Sequence, residues 1–142
     1  MVLIDTSAWI EFFRKTGDLR AKLAVANLRD EMMAAVCGPV TMEIFGGARE
    51  PDLKQLRADF LMLPYLRGGE QVWQLAASNY RLLSSNAITA PWNDILIATV
   101  AREHSCRIYA TDRHFTLMAP ILGIKLYEPG INGQYRPDSN AP

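Results

Sequence analysis

Cysteine is scarce in this sequence, with two among 142 residues, Cys37 and Cys106. Their wide separation matches neither a disulfide framework nor a zinc-ligand spacing, and a reducing compartment leaves both as small core residues. A surplus of either charge is lacking too, since 15 Lys and Arg balance 15 Asp and Glu. General nucleic-acid coat proteins draw most of their non-specific affinity from a basic surface, so the balance argues against that class. No apolar run approaches the ~20 residues of a spanning helix. The first five residues hold no basic stretch ahead of Val2-Leu3-Ile4, so they do not read as a signal peptide. The expectation is a cytoplasmic protein without a membrane partner. Internal repeats and low-complexity linkers are absent as well, and nothing divides the chain into separate domains.

What is present is an apolar fraction of 49%, enough for a globular core in one domain of this length. Val2–Ile4 reads as a buried strand ending at Asp5. A helix follows, with Thr6 or Ser7 as its cap and Trp9, Ile10 and Phe13 on the inner face. Leu19, Leu23 and Ala26 mark the inner face of a second helix that ends near Asp30. Met33–Cys37 is a second strand, closed by Gly38-Pro39, and Val40–Ala48 is helical. Pro51 opens a helix with Leu53, Leu56, Phe60 and Leu63 on one face, and Leu63–Leu66 forms a short strand. Val72, Ala76, Tyr80 and Leu83 predict a long amphipathic helix. The helix from Pro91 to about His104 is apolar nearly all round between Ile95 and Ala101, which marks it as buried. Arg107–Ala110 is a strand, Asp112–Met118 a helical turn and Ile124–Tyr127 a last strand. Strands alternating with helices indicate an α/β domain with a mainly parallel sheet. The Gly-, Pro- and Asn-rich stretch 129–142 is expected to be a flexible tail.

Four carboxylates stand where ordinary structure gives little reason for them. Asp5 and Asp112 follow the carboxyl ends of strands, where open α/β sheets form their ligand crevices. Glu43 interrupts the apolar stretch Met42-Glu43-Ile44-Phe45. Asp94 falls in the first turn of the most apolar helix, where the positive helix end supports a charge. Each has a plain alternative: Asp5, Asp94 and Asp112 as caps or first-turn acids, Glu43 as a solvent-facing residue. Taken together, they fall on one rim, because a parallel sheet gathers its strand ends there. Four carboxylates so placed repel one another unless a cation intervenes. An all-oxygen set suits Mg²⁺ or Mn²⁺ and offers nothing soft for zinc or copper. The chemistry indicated is phosphodiester hydrolysis by a metal-activated water.

The same residues carry a resemblance. Val2-Leu3-Ile4-Asp5-Thr6-Ser7, Val40-Thr41-Met42-Glu43-Ile44, Asp94-Ile95-Leu96-Ile97-Ala98 and Thr111-Asp112-Arg113-His114-Phe115 occur in this order, and the likeness runs from Val2 to about Glu128. The set resembles the PIN-domain family, and more closely the VapC-type ribonuclease toxins of toxin–antitoxin pairs. The resemblance implies a PIN-like three-layer fold over residues 1–128, a twisted, mainly parallel sheet flanked by helices. It implies that Asp5, Glu43 and Asp94 are the central catalytic metal ligands, with Asp112 the fourth and Ser7 in support. It further implies a Mg²⁺- or Mn²⁺-dependent endoribonuclease that leaves a 5′-phosphate and a 3′-hydroxyl, a cognate antitoxin partner and a homodimer. Many members carry an acid where this chain has His114, and a hydroxyl where it has Ala110.

Several residues near these motifs have two readings. Arg113 could contact a phosphate of the RNA, against the plainer reading of a solvated arginine. Trp92 at the rim could stack on a base, whereas Trp9 reads as core. His104 suits the dipole at a helix end. His114 reads first as structural or surface, with contact to RNA or an outer-sphere water as the alternative. Phe45-Gly46-Gly47 could line a groove for the antitoxin, against core packing as the default. Among rival functions, a haloacid-dehalogenase-type phosphatase needs a second Asp where Ser7 stands. A PIN nuclease of general RNA processing fits the same residues, and a non-cleaving RNA- or protein-binding module is at odds with the full set of four acids.

Overall fold

The computed structural model describes residues 1–139. Its sheet has four parallel strands: β1 (Val2–Ile4), β2 (Ala34–Cys37), β3 (Tyr65–Leu66) and β4 (Arg107–Tyr109), in the spatial order β3-β2-β1-β4. Val2 pairs with Ala34 and with Arg107, and Val36 pairs with Tyr65. Every residue of β1 and β2 is buried, as expected for parallel strands covered on both faces. Among the described residues, seven α-helices flank this sheet, giving the expected PIN-like α/β layering.

The helices are α1 (Thr6–Phe13), α2 (Leu19–Asp30), α3 (Gly38–Gly47), α4 (Leu53–Leu61), α5 (Glu70–Ser85), α6 (Trp92–Glu103) and α7 (Arg113–Leu122). The core gathers Trp9, Leu28, Ile95, Ile97, Ile108 and Phe115 around β1. In α6, Ile95 and the run Ile97–Ala101 are buried, and its one polar member is provided for. Thr99 Oγ1 donates to the Ile95 carbonyl at 2.7 Å and accepts from Asn79 Nδ2 of α5 at 2.9 Å. Burial pushes the Cys37 thiol up to about 12, and Cys106 is buried as well, in keeping with two inert core cysteines.

Several helix faces differ from the sequence expectation. The cap of α1 is Asp5, not Thr6 or Ser7. Trp9 is buried, but Ile10 and Phe13 are 44% and 41% exposed, because they overhang a groove instead of the sheet. In α2 the inner residues are Ala21, Ala24, Val25 and Leu28, while Leu19 is exposed. Small alanines let this helix lie close to its neighbours, and Leu19 and Leu23 turn to the C-terminal segment. Tyr80 lies at the edge of α5, and the buried positions there include Asn79.

The C-terminal part differs further. The helix expected over Asp112–Met118 runs on through Pro120 to Leu122. A proline costs a helix one donor, but Phe115, Met118 and Leu122 are all buried on the helix's inner side, and it ends at Gly123 with φ of 68°, a conformation suited to glycine. Ile124–Tyr127 forms no full strand. It contributes one parallel bridge, Ile108 to Leu126. The segment after Glu128 makes a turn, Ile131–Gly133, against α2. A Cβ on Gly133 would sit 2.5 Å from the Leu23 carbonyl carbon, so only glycine fits. Residues 140–142 of the expected tail lie outside the described residues.

Candidate active site at the strand ends

β1 delivers Asp5 to the carboxyl edge of the sheet, where its backbone N–H donates to the Tyr109 carbonyl at 2.9 Å. Asp5 then caps α1: its Oδ2 accepts the Ser7 N–H at 2.9 Å and the Ser7 hydroxyl at 2.6 Å. The same hydroxyl accepts the Thr111 N–H at 3.0 Å, tying the loop after β4 to the start of α1. The side chain is therefore held in one orientation. Its other oxygen, Oδ1, is buried and has no hydrogen-bond partner. Asp5 is 3% exposed, and burial raises its pKa, with the Glu43 charge adding to the rise against the lowering by Ser7.

Asp94 enters from the first turn of α6. Burial pushes its carboxyl up to about 6, the charge of Asp5 is the next cause, and Asp112 adds to it while His114 opposes. Asp112 caps α7 and accepts the His114 N–H at 2.7 Å. His114 Nδ1 lies 2.9 Å from Asp94 Oδ2 and 2.9 Å from Asp112 Oδ1. Glu43, on the exposed side of α3, accepts the Thr6 hydroxyl at 3.0 Å. Thus Asp5, Glu43, Asp94 and Asp112, from four separate segments, act on one another electrostatically, and Ser7 positions the first of them.

This donor set fits a divalent cation. A buried carboxylate oxygen without a donor is costly, and one that feels the charges of Glu43 and Asp94 is the arrangement that a hard cation satisfies. Nothing among these residues is soft except the imidazole of His114.

Of the remaining candidates, Trp92 and Arg113 adjoin Asp94 and Asp112 along the chain. Trp92 is 64% exposed and stacks on Tyr80 at 4.1 Å with 9° between the rings. Arg113 is exposed at the start of α7. Trp9 is core, packed on Phe60 at 4.9 Å. His104 ends α6, its ring reaching the Arg67 carbonyl at 2.8 Å. Beside Glu43, a groove of about 600 Å³ opens between α1, α3 and α4, lined among others by Ile10, Phe13, Ile44, Gly47 and Leu56. Of the three residues expected to shape such a groove, Gly47 lines it, while Phe45 packs edge-on against Phe60. Thr6 and His114 were undervalued by the sequence reading. The signal available for His114 was its position two residues after a capping aspartate, which turns the chain back on the carboxylate.

Carboxylates converging at the strand ends of a parallel sheet define a class, α/β domains with an acidic, cation-compatible crevice. Within that class the chain belongs to the PIN-domain family, whose model matches residues 2–119. It is similar to ribonuclease VapC11 of Mycobacterium tuberculosis, 36% identical over 130 residues that cover 88% of this chain and 96% of the relative. The VapC ribonuclease Mb1587 of Mycobacterium bovis matches to the same extent. The fold is also that of a chain in the FitAcB crystal structure from Neisseria gonorrhoeae, with TM-score 0.69, 16% identity and coverage of 90% and 97%. A chain of VapBC2 from Rickettsia felis, solved on a DNA fragment of its promoter, has TM-score 0.69, 16% identity and coverage of 89% and 98%.

Proposed function

We propose that this chain is the toxin of a toxin–antitoxin pair, a divalent-metal-dependent endoribonuclease that hydrolyses RNA phosphodiester bonds. The observation that carries the reading is the buried Oδ1 of Asp5, without a hydrogen-bond partner among the described residues, on a carboxylate whose charge couples to Glu43 and to Asp94. Relatives that bear the name ribonuclease support the activity, and neighbours solved as toxin–antitoxin complexes support the role.

Asp5, Glu43, Asp94 and Asp112 would hold Mg²⁺ or Mn²⁺. When bound, such an ion offsets the carboxylate charge, acidifies water and stabilises charge developing on a phosphoryl group. The chain's own residues prepare for this. Ser7 holds Asp5 so that one oxygen stays free, and Thr6 holds Glu43. Asp94 must be ionised to act as a ligand, so with its carboxyl pushed up to about 6 in the metal-free protein protons compete with the cation on the acid side. Trp92 and Arg113 flank the rim where an unpaired base and a phosphate of the RNA would lie.

The groove beside Glu43 is the docking place proposed for an apolar segment of the antitoxin, which would cover the rim as well. A homodimer and a cytoplasmic location complete the proposal. Among the described residues no helix is long and apolar enough to cross a membrane.

The test is Asp94→Asn. RNA cleavage should fall at least about a hundredfold, and Mn²⁺ binding by calorimetry should vanish, while the circular dichroism spectrum stays native. A variant of full activity would overturn the assignment.

A further inference from the structure

The rim contains one nitrogen among its oxygens. His114 Nδ1 is 2.9 Å from Asp94 Oδ2 and 2.9 Å from Asp112 Oδ1, and the three groups offer donor atoms that all lie within 4.8 Å of one another. Two ligands bound side by side on an octahedral ion, with bonds of about 2.1 Å, are separated by about 3.0 Å. The observed spacings are hydrogen-bond distances, and they equal the separation of neighbouring atoms in one such coordination sphere. The ring is also well anchored: its backbone N–H donates to Asp112 at 2.7 Å, and it stands in the first turn of α7.

A second feature points to a cation beside Asp94. Asp5 is 3% exposed, its Oδ2 is engaged by Ser7, and its Oδ1 has no partner. Its charge is also the strongest influence on Asp94 after burial itself. A histidine that only linked Asp94 to Asp112 by hydrogen bonding would leave that buried oxygen unused. A cation beside Asp94 offsets the charge that Asp5 and Asp94 impose on each other.

We infer that His114 Nδ1 is itself a cation ligand alongside Asp94 and Asp112, so that this side of the site has a mixed nitrogen–oxygen donor set and prefers Mn²⁺ to Mg²⁺. The inference rests on the carboxylate metal site proposed above and adds to it a ligand and a selectivity. Mg²⁺ is hard and keeps to oxygen, whereas imidazole suits first-row transition ions. A carboxylate at position 114 would remove this distinction.

The experiment is pulsed electron paramagnetic resonance of the intact protein loaded with Mn²⁺ alone, run on wild type and on His114→Asn. Asparagine keeps an amide donor near the Nδ1 position and cannot supply an imidazole. Wild type should show the ¹⁴N modulation of a directly bound histidine, and His114→Asn should lose it. Competition titrations should show the preference for Mn²⁺ over Mg²⁺ narrowing by about tenfold in the variant. Mn²⁺ bound with no nitrogen coupling in wild type would overturn the inference and leave the carboxylate site standing. Coupling that persists in His114→Asn would also overturn it, since the nitrogen would come from elsewhere. No Mn²⁺ binding at millimolar concentration would remove both the inference and the site. The wild-type spectrum decides by itself, so a variant that fails to fold gives the inference no protection.

Discussion

The acidic rim and the apolar groove meet at α1 and α3, and they depart from ordinary burial in opposite directions. At the rim, charge is taken out of water: Asp5 is buried, and Asp94 is held above the normal carboxylate range. In the groove, Ile10 and Phe13 stay partly in water although the core lies one helical turn away. Neither arrangement is rewarded by folding. Glu43 belongs to both, since it lines the groove beside Ile44 and accepts from Thr6 at the rim. The difference teaches that one helix pair can border two opposite kinds of surface, charge taken out of water on one side and apolar side chains left in it on the other.

The comparison is broken most severely by putting a charge into the groove. Ile10→Glu should weaken antitoxin binding about a hundredfold, the cost of desolvating an unpaired carboxylate in an apolar contact. Cleavage of RNA by the chain alone should stay within about twofold, because Asp5 and Glu43 are held by Ser7 and Thr6, not by Ile10. Titration calorimetry against the antitoxin and a gel assay of cleavage would measure the two effects. Equal loss of both would show that groove and rim are not separable.

The next effect concerns the buried charge. Asp94 has a folded-state pKa of about 6, raised from 3.8. The folded state therefore binds the proton more tightly than the unfolded chain, and the stability this provides is complete below pH 3.8 and lost as pH rises through about 6. The loss is of the order of 2 kcal/mol, with solvent screening part of it. Urea unfolding in the presence of a chelator, at pH 4.5 and pH 7, should show this decline in wild type. In Asp94→Asn it should be smaller by about that amount, the remainder belonging to Asp5, whose carboxyl burial also raises. Mn²⁺ at pH 7 should restore stability to wild type only.

The smallest effect belongs to the edge of the rim. Trp92→Ala removes an exposed ring that Tyr80 covers on one side, and the loss of one stacked base should raise KM about tenfold with kcat little changed. A fall in kcat alone would mean that Trp92 acts on the site through Asn93 and Asp94, not on RNA.

Much of the scaffold was legible along the chain. The apolar run ahead of Asp5 and the all-round apolar character of Ile95–Ala101 fix a strand and a buried helix through local periodicity, and both are found where expected. Inner faces were less legible. The leucines of α2 suggested one face, but close approach favours the alanines, and Leu19 and Leu23 serve a turn more than a hundred residues later in the chain. The extended look of Ile124–Tyr127 yielded one bridge, because pairing depends on what a neighbouring strand has left open.

By itself the sequence determined which carboxylates stand at strand ends and helix starts, since alternation of apolar runs with Asp and capping residues is a local property. Only the tertiary structure decided how they act together. It brought Ser7 to Thr111 across 104 positions, left one oxygen of Asp5 buried without a partner, and swung His114 between two aspartates. Those outcomes depend on distances between elements remote in the chain, and such distances are set by packing of the core, not by the order of residues beside each site.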